Sequence, residues 1–269
     1  MALIAMENVG EVGIVKDVSP WQLPQNAWSD GNNVRAWQGA IEKIKGYSEV
    51  MTSCPVAPYH VTFLQAGASK YFVVGGLAKI YVHDGTSWTN ITRQTTGSDV
   101  DYSATAAEGW SSTLIGGILV MSNGFDDPQF WALSSGVPST SNKMADLSNW
   151  PASTECKSMR SFRSFLVALN VTESSVNYPR LVKWSTEAAT QAVPASFDDT
   201  DATVDAGEYE LGSASSKIVD GLQLRDTFMI YTERETFSMS FVGTPFIFQF
   251  RMLSPTVGAM AKNCVVEFD

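Results

Sequence analysis

The sequence predicts an all-β chain, β-propeller-like, with about five to six blades of antiparallel sheet. Three observations predict it. A strand–turn–strand unit can be read four times, its starts at Tyr71, Gly117, Phe165 and Thr227 lying 46, 48 and 62 residues apart. Helical periodicity is weak along the whole chain. Eight Trp, eight Tyr and fourteen Phe suit sheets that pack face on face. A unit of this kind buries both of its faces only by stacking on its neighbours.

Residues 1–31 read as an extended arm. Val9, Val12, Ile14, Val15 and Val18 are interrupted by Gly10 and Gly13, which argue against a helix. Pro20 and Pro24 make 17–31 an ordered loop, anchored by Trp21, Leu23 and Trp28. These anchors either cap a sheet edge or meet a partner. Asn33–Trp37 and Ala40–Ile44, joined by Gln38-Gly39, read as a hairpin. With it, the number of units rises to about five.

Tyr71–Val74 and Lys79–Val82 flank Gly75-Gly76. An Asp84-Gly85 turn follows, with His83 as an exposed residue beside it and Trp88 and Ile91 on an outer strand. Gly117–Met121 and Gln129–Trp131 flank Ser122-Asn123-Gly124. Phe165–Ala168 and Leu181–Trp184 are separated by a longer loop. Residues 186–193 fit one or two turns of helix closed by Pro194. Residues 194–216, with Asp198, Asp199, Asp201, Asp205, Glu208 and Glu210, read as an exposed acidic insertion. Thr227–Tyr231 and Thr236–Phe241 form the fourth unit, and Asn263–Asp269 looks like the opening strand of another. Residues 1–269 are thus expected to be a single domain with an N-terminal arm and one insertion.

Eighteen bases against twenty-eight acids give a formal charge of −10. Such a surface does not neutralise phosphates, which argues against direct nucleic-acid binding. Cys54, Cys156 and Cys264 lie about a hundred residues apart, so neither a zinc knuckle nor a disulfide framework is indicated. Buried free thiols and a reducing cytoplasm fit this pattern. Two histidines, His60 and His83, are too few for a histidine-based metal site or triad. There is no Gly-x-Ser-x-Gly elbow and no phosphate-binding loop. No catalytic residue, cofactor or metal is therefore expected. Asp126-Asp127, Asp198-Asp199 and Asp201 are either turn residues or a glycosidase pair, although neighbours along a strand point to opposite faces. The cluster Asp198, Asp199, Asp201 and Asp205 lacks the Gly and terminal Glu spacing of a calcium loop. No apolar run approaches the ~20 residues of a membrane span. The first eight residues have no basic region and no secretion-signal pattern.

Several segments, in order, resemble the tail tube or nozzle proteins of short-tailed bacteriophages. They are Leu23–Arg35, Ser87–Arg93, Ser122–Trp131, Leu147–Pro151, Leu166–Asn170, Val182–Ser185 and Val193–Phe197. The resemblance spans about residues 10 to 250 and rests on the series, not on one motif. It implies a virion structural protein, not an enzyme, assembled in the host cytoplasm as a ring of identical copies below the portal and adaptor. The genome would pass through the ring without specific binding; the net charge of −10 adds the expectation that acids facing the lumen repel phosphate. This chain looks shorter than such nozzle proteins. On the same reading Trp21, Trp28, Asp198, Asp199 and Asp201 are expected at contacts between subunits. The alternative is a carbohydrate-binding or carbohydrate-hydrolysing propeller.

Overall fold

The structure, a computed structural model, describes residues 8–267. The chain divides into two compact units, a smaller one that runs to Val50 and a larger one from Met51 onward.

In the smaller unit the expected hairpin is present. Val34–Trp37 pairs antiparallel with Ala40–Lys43. Gln38 and Gly39 both take positive φ, 48° and 77°, the turn whose twist matches that of its flanking strands. Before it, Gly13–Ile14 lies parallel to Ala27–Trp28, and Pro20–Gln22 makes one turn of 3-10 helix. Trp28 donates its indole N–H to the Val9 carbonyl at 2.6 Å. Trp21 stands 96% exposed.

The larger unit is all-β and holds four four-stranded antiparallel sheets, each a meander in chain order. Sheet I is His60–Ala66, Ser69–Gly75, Ile80–His83 and Trp88–Asn90. Sheet II is Ser111–Ile115, Ile118–Ser122, Gln129–Trp131 and Met144–Asp146, with a small hairpin, Leu133–Ser134 and Val137–Pro138, before its last strand. Sheet III is Thr154–Phe162, Phe165–Glu173, Val176–Trp184 and Gly207–Glu210. Sheet IV is Ile218–Leu224, Thr227–Thr232, Thr236–Phe241 and Phe248–Ser254.

The period-two alternation of strands explains how the sheets stack. In sheet II, Leu119 and Met121 join Tyr71, Val73 and Val82 of sheet I in one core. The alternate residues Ile118 and Val120 join Leu166 and Ala168 of sheet III in a second. Val167 and Leu169, alternating again, join Phe228, Ile230 and Phe237 of sheet IV in a third. The middle sheets are therefore apolar on both faces, which is why their second strands read as unbroken hydrophobic runs. Sheet I also carries exposed Val61 and Phe63, and sheet IV exposed Leu224 and Leu253.

The four repeats read from the sequence are the second and third strands of the four sheets. Several expectations need correction. The supposed long loop of the third repeat is strand. Phe165–Glu173 and Val176–Trp184 form one long hairpin, closed at Ser174 and Ser175, both at positive φ. Residues 186–193 form no helix, and Gln191 sits at φ +56°. The acidic segment is no simple insertion, since Gly207–Glu210 is the outer strand of sheet III and Phe197 is fully buried beside Trp150. His83 is 1% exposed, its ring edge-on to Trp88 and its Nδ1 accepting the Gly85 N–H at 3.0 Å. Cys156 is buried as expected, but Cys54 is half-buried and Cys264 exposed. Residues 263–267 contain no strand. Residues 1–7, read as the start of the arm, and 268–269, read as the end of a strand, lie outside the described residues.

Candidate functional site

Two polar regions of the larger unit merit attention. The first runs along the opening strands of the sheets. His60 of sheet I shares a 2.8 Å hydrogen bond with the hydroxyl of Ser112 in sheet II. The Ser112 carbonyl accepts from Arg160 of sheet III at 2.7 Å. Arg160 then grips Asp220 of sheet IV with two parallel bonds, Nε to Oδ1 at 2.8 Å and Nη2 to Oδ2 at 2.6 Å. One residue from each opening strand thus enters a single chain of contacts.

The seam is closed tightly. Asp220 is 2% exposed and also accepts from the Ser158 hydroxyl at 2.7 Å and the Asn263 N–H at 2.8 Å. Burial opposes its charge, but the hydrogen bonds and charge of Arg160 hold its pKa below the usual carboxylate range. Burial, helped by the charges of Arg160 and Lys262, pushes His60 down to about 4, so its imidazole is neutral at pH 7. Lys262 donates to the Lys157 carbonyl at 2.9 Å, and burial lowers its pKa to about 8. Asp220 is buried and His60 half-buried, each engaged by a neighbouring sheet, and the arrangement is that of a staple. Nothing in the sequence flagged it, because its members lie in four different repeats.

A second staple fixes the side of sheet II. Asp126 pairs with Arg93 at 2.7 Å and accepts from the Ser103 N–H at 2.7 Å and the Asn123 amide at 2.6 Å. The Arg93 guanidinium lies over the Tyr102 ring at 4.9 Å. Asp126 is therefore committed to structure.

The second region is a cleft of about 1060 Å³ between the 199–209 segment and the 242–250 segment. Its walls are Trp184, Val204, Tyr209, Phe246 and Phe250, and its acids are Asp199, Asp201, Asp205 and Glu208. No base lines it. Tyr209 stacks on Phe250 at 4.4 Å with the rings 10° apart. Trp184 is held by its indole N–H, which donates to the Asp205 carbonyl at 2.9 Å. Gly207 is required at this point, because a Cβ there would stand 2.7 Å from the Trp184 ring.

Lys183 organises the acids behind the cleft. It is 3% exposed, and its ammonium reaches Asp199 at 2.6 Å, Glu208 at 2.9 Å and Glu173 at 3.3 Å. Burial would lower its pKa, but the bonds to Asp199 and Glu208 outweigh this and hold it above the ordinary lysine value. Asp198 and Asp201 each cap a local turn, accepting from Thr200 and Thr203, whose hydroxyls lie at 2.6 Å. Those bonds lower both pKa values. Among the described residues, neither Asp201 nor Asp205 is in an ion pair.

Of the residues predicted at subunit contacts, Asp199 and Asp201 line the cleft, whereas Asp198 does not. Trp21 and Trp28 belong to the smaller unit, the first exposed and the second partly held. Sequence reasoning missed Phe246 and Phe250, which the packing of sheet IV against the 199–209 segment brings beside Tyr209. Among the described residues no three His, Cys, Asp or Glu side chains gather as a metal site. No helix among them is long and apolar enough to cross a membrane. No protein-family model matches the chain, and no curated protein matches it either.

Proposed function

We propose that this chain is a structural subunit of a short-tailed phage tail, of the nozzle or tail-tube kind. It assembles as a ring of identical copies around the genome-ejection channel. The observation that carries the reading is the polar seam. In a propeller the opening strand of each blade runs along the axis, and here the opening strands of four consecutive stacked sheets meet through His60, Ser112, Arg160 and Asp220. The four sheets are then consecutive blades of a propeller with five to six.

Two further points support a scaffold over an enzyme. Asp126 and Asp199 are held by Arg93 and Lys183, and a carboxylate in such a pair is a poor general acid or base. The segments that carry the family resemblance also include residues at the joints, such as Asn123, Asp126, Trp150, Lys183 and Phe197. Portal, adaptor and other tail proteins are its proposed partners in the virion, and the genome passes without specific binding. Sedimentation velocity and negative-stain microscopy of the purified chain test this. Rings that grow with concentration are expected, and a monomer at every concentration would overturn the reading.

The acidic aromatic cleft favours a second reading, a carbohydrate-binding propeller, since sugar sites combine ring faces with carboxylates. A glycan array and a glycosidase panel distinguish the two. Binding or cleavage that is lost in Tyr209→Ala would establish the second.

A further inference from the structure

The smaller unit ends in a segment with unusual exposure. Lys43, Ile44, Lys45, Gly46 and Tyr47 are all exposed, and so is Val50. From Lys45 to Val50 no residue lies in a strand or helix, and none has a backbone partner among the described residues. A Cβ built on Gly46 would meet nothing within 4 Å. Lys43 and Lys45 have no acidic partner among the described residues. The segment is thus basic and aromatic; Lys43 and Ile44 are still tied to the hairpin, through the Val34 pairing and the Asn33 carbonyl, and from Lys45 onward its backbone hydrogen-bonding groups have no partner among the described residues.

The cleft of the larger unit has the opposite properties. It offers Asp201 and Asp205 without basic partners, the Tyr209–Phe250 stack and the exposed ring of Phe246. Its Gly207–Glu210 wall is the last strand of sheet III, and among the described residues no strand pairs with its outer edge. An unpaired edge next to an apolar cleft is a template for an extended segment, which gains main-chain bonds from the edge and specificity from the pocket. A five-residue segment spans at most about 17 Å, and a cleft of about 1060 Å³ has room for several of its side chains.

We infer that the Lys43–Tyr47 segment of one copy docks in the acidic aromatic cleft of a second copy. Tyr47 packs on the Tyr209–Phe250 stack and Phe246, and Lys43 and Lys45 face Asp201 and Asp205. The inference rests on the self-assembling reading and gives it a contact. A head-to-tail contact of this sort uses two different surfaces, so it propagates from copy to copy and closes into a ring when the rotation allows.

The experiment uses the full chain in a Cys54→Ser, Cys264→Ser background. Two differently tagged variants, Tyr47→Cys and Phe246→Cys, are mixed under mild oxidation. A disulfide-linked dimer carrying both tags is expected, reversible by reductant and absent when either variant is oxidised alone. In parallel, Lys45→Glu is expected to weaken self-association about tenfold, and adding Asp205→Lys is expected to restore it. If rings form with no mixed disulfide and no response to the charge changes, the docking is wrong and the assembly reading stands. If the chain stays monomeric, both fall. In the chain bearing both cysteines, a bridge formed only within one chain would overturn the docking, as would a glycan that fills the cleft.

Discussion

The seam of opening strands and the aromatic cleft are both built from charged side chains, and they use them in opposite ways. At the seam Asp220 is buried and every neighbour donates to it. At the cleft Asp201 and Asp205 line an open wall beside aromatic rings and meet no base among the described residues. Buried charge that is fully paired fixes one arrangement of the sheets, whereas exposed unpaired charge beside apolar surface is free to meet a partner. The contrast separates charges that hold the larger unit together from charges that its own fold leaves unpaired among the described residues.

The strongest way to break the contrast is Asp220→Ala. It leaves the Arg160 guanidinium largely buried without its carboxylate, with two of its bonds lost. Removing one partner of a buried pair costs about 3–5 kcal/mol. Urea unfolding is expected to show a large fall in midpoint. A change no larger than that of a surface substitution would mean that the sheets do not depend on the seam.

The next largest effect is expected in mild acid. His60 has a folded pKa of about 4 against an ordinary 6.5, so the unfolded chain takes up a proton first as pH falls. The stability that comes from a neutral His60 is complete above pH 6.5 and lost progressively toward pH 4. The loss is about 2 kcal/mol, allowing for the part of the ring that still meets solvent. Asp220 acts in a lower window, since its depressed pKa removes stability only as pH falls below 3.8. Unfolding midpoints at pH 7 and pH 5 for the wild type and His60→Gln check this. The variant should lose most of the slope in that interval.

How much of this was legible beforehand follows from the range of each signal. The repeat was legible because second strands buried on both faces give continuous runs such as Ile118–Met121 and Phe165–Leu169. The turn at Gln38-Gly39 was legible because turn chemistry is local. The third hairpin was misread, since Asn177, Pro179 and Arg180 break its apolar pattern where the strand runs out toward solvent. His83 was misread because the Asp84-Gly85 turn marks a surface position, while burial of the imidazole depends on Trp88 across the pair. The seam and the cleft lay beyond reach for a common reason. Each gathers residues from different sheets, tens of positions apart in the chain, and only the stacking of those sheets brings them together.

A smaller effect is expected at Gly207→Ala, which sharpens the cleft side. The added methyl would enter the space of the Trp184 ring, 2.7 Å away, in a strand whose neighbours are fixed by Lys183. Overpacking of this kind costs about 1–3 kcal/mol. Tryptophan fluorescence should shift as Trp184 is displaced from the Asp205 carbonyl. An unchanged spectrum would mean that the ring is not held as described.

The smallest stability effect separates the two regions most cleanly. In Asp201→Asn together with Asp205→Asn, Asp201 keeps a side-chain oxygen for its Thr203 contacts, and the Asp205 carbonyl still accepts from Trp184. The urea midpoint and the thermal midpoint are therefore expected to match the wild type within error. Self-association, read by sedimentation at the same protein concentration, should fall, because only the charges offered to a partner have been removed. The two readouts are expected to part company here and to move together in Asp220→Ala, where assembly is lost because the sheets come apart. If the paired asparagine variant unfolds more easily, the cleft acids belong with the staples. In that case the difference between buried paired charge and exposed unpaired charge would not divide stability from recognition.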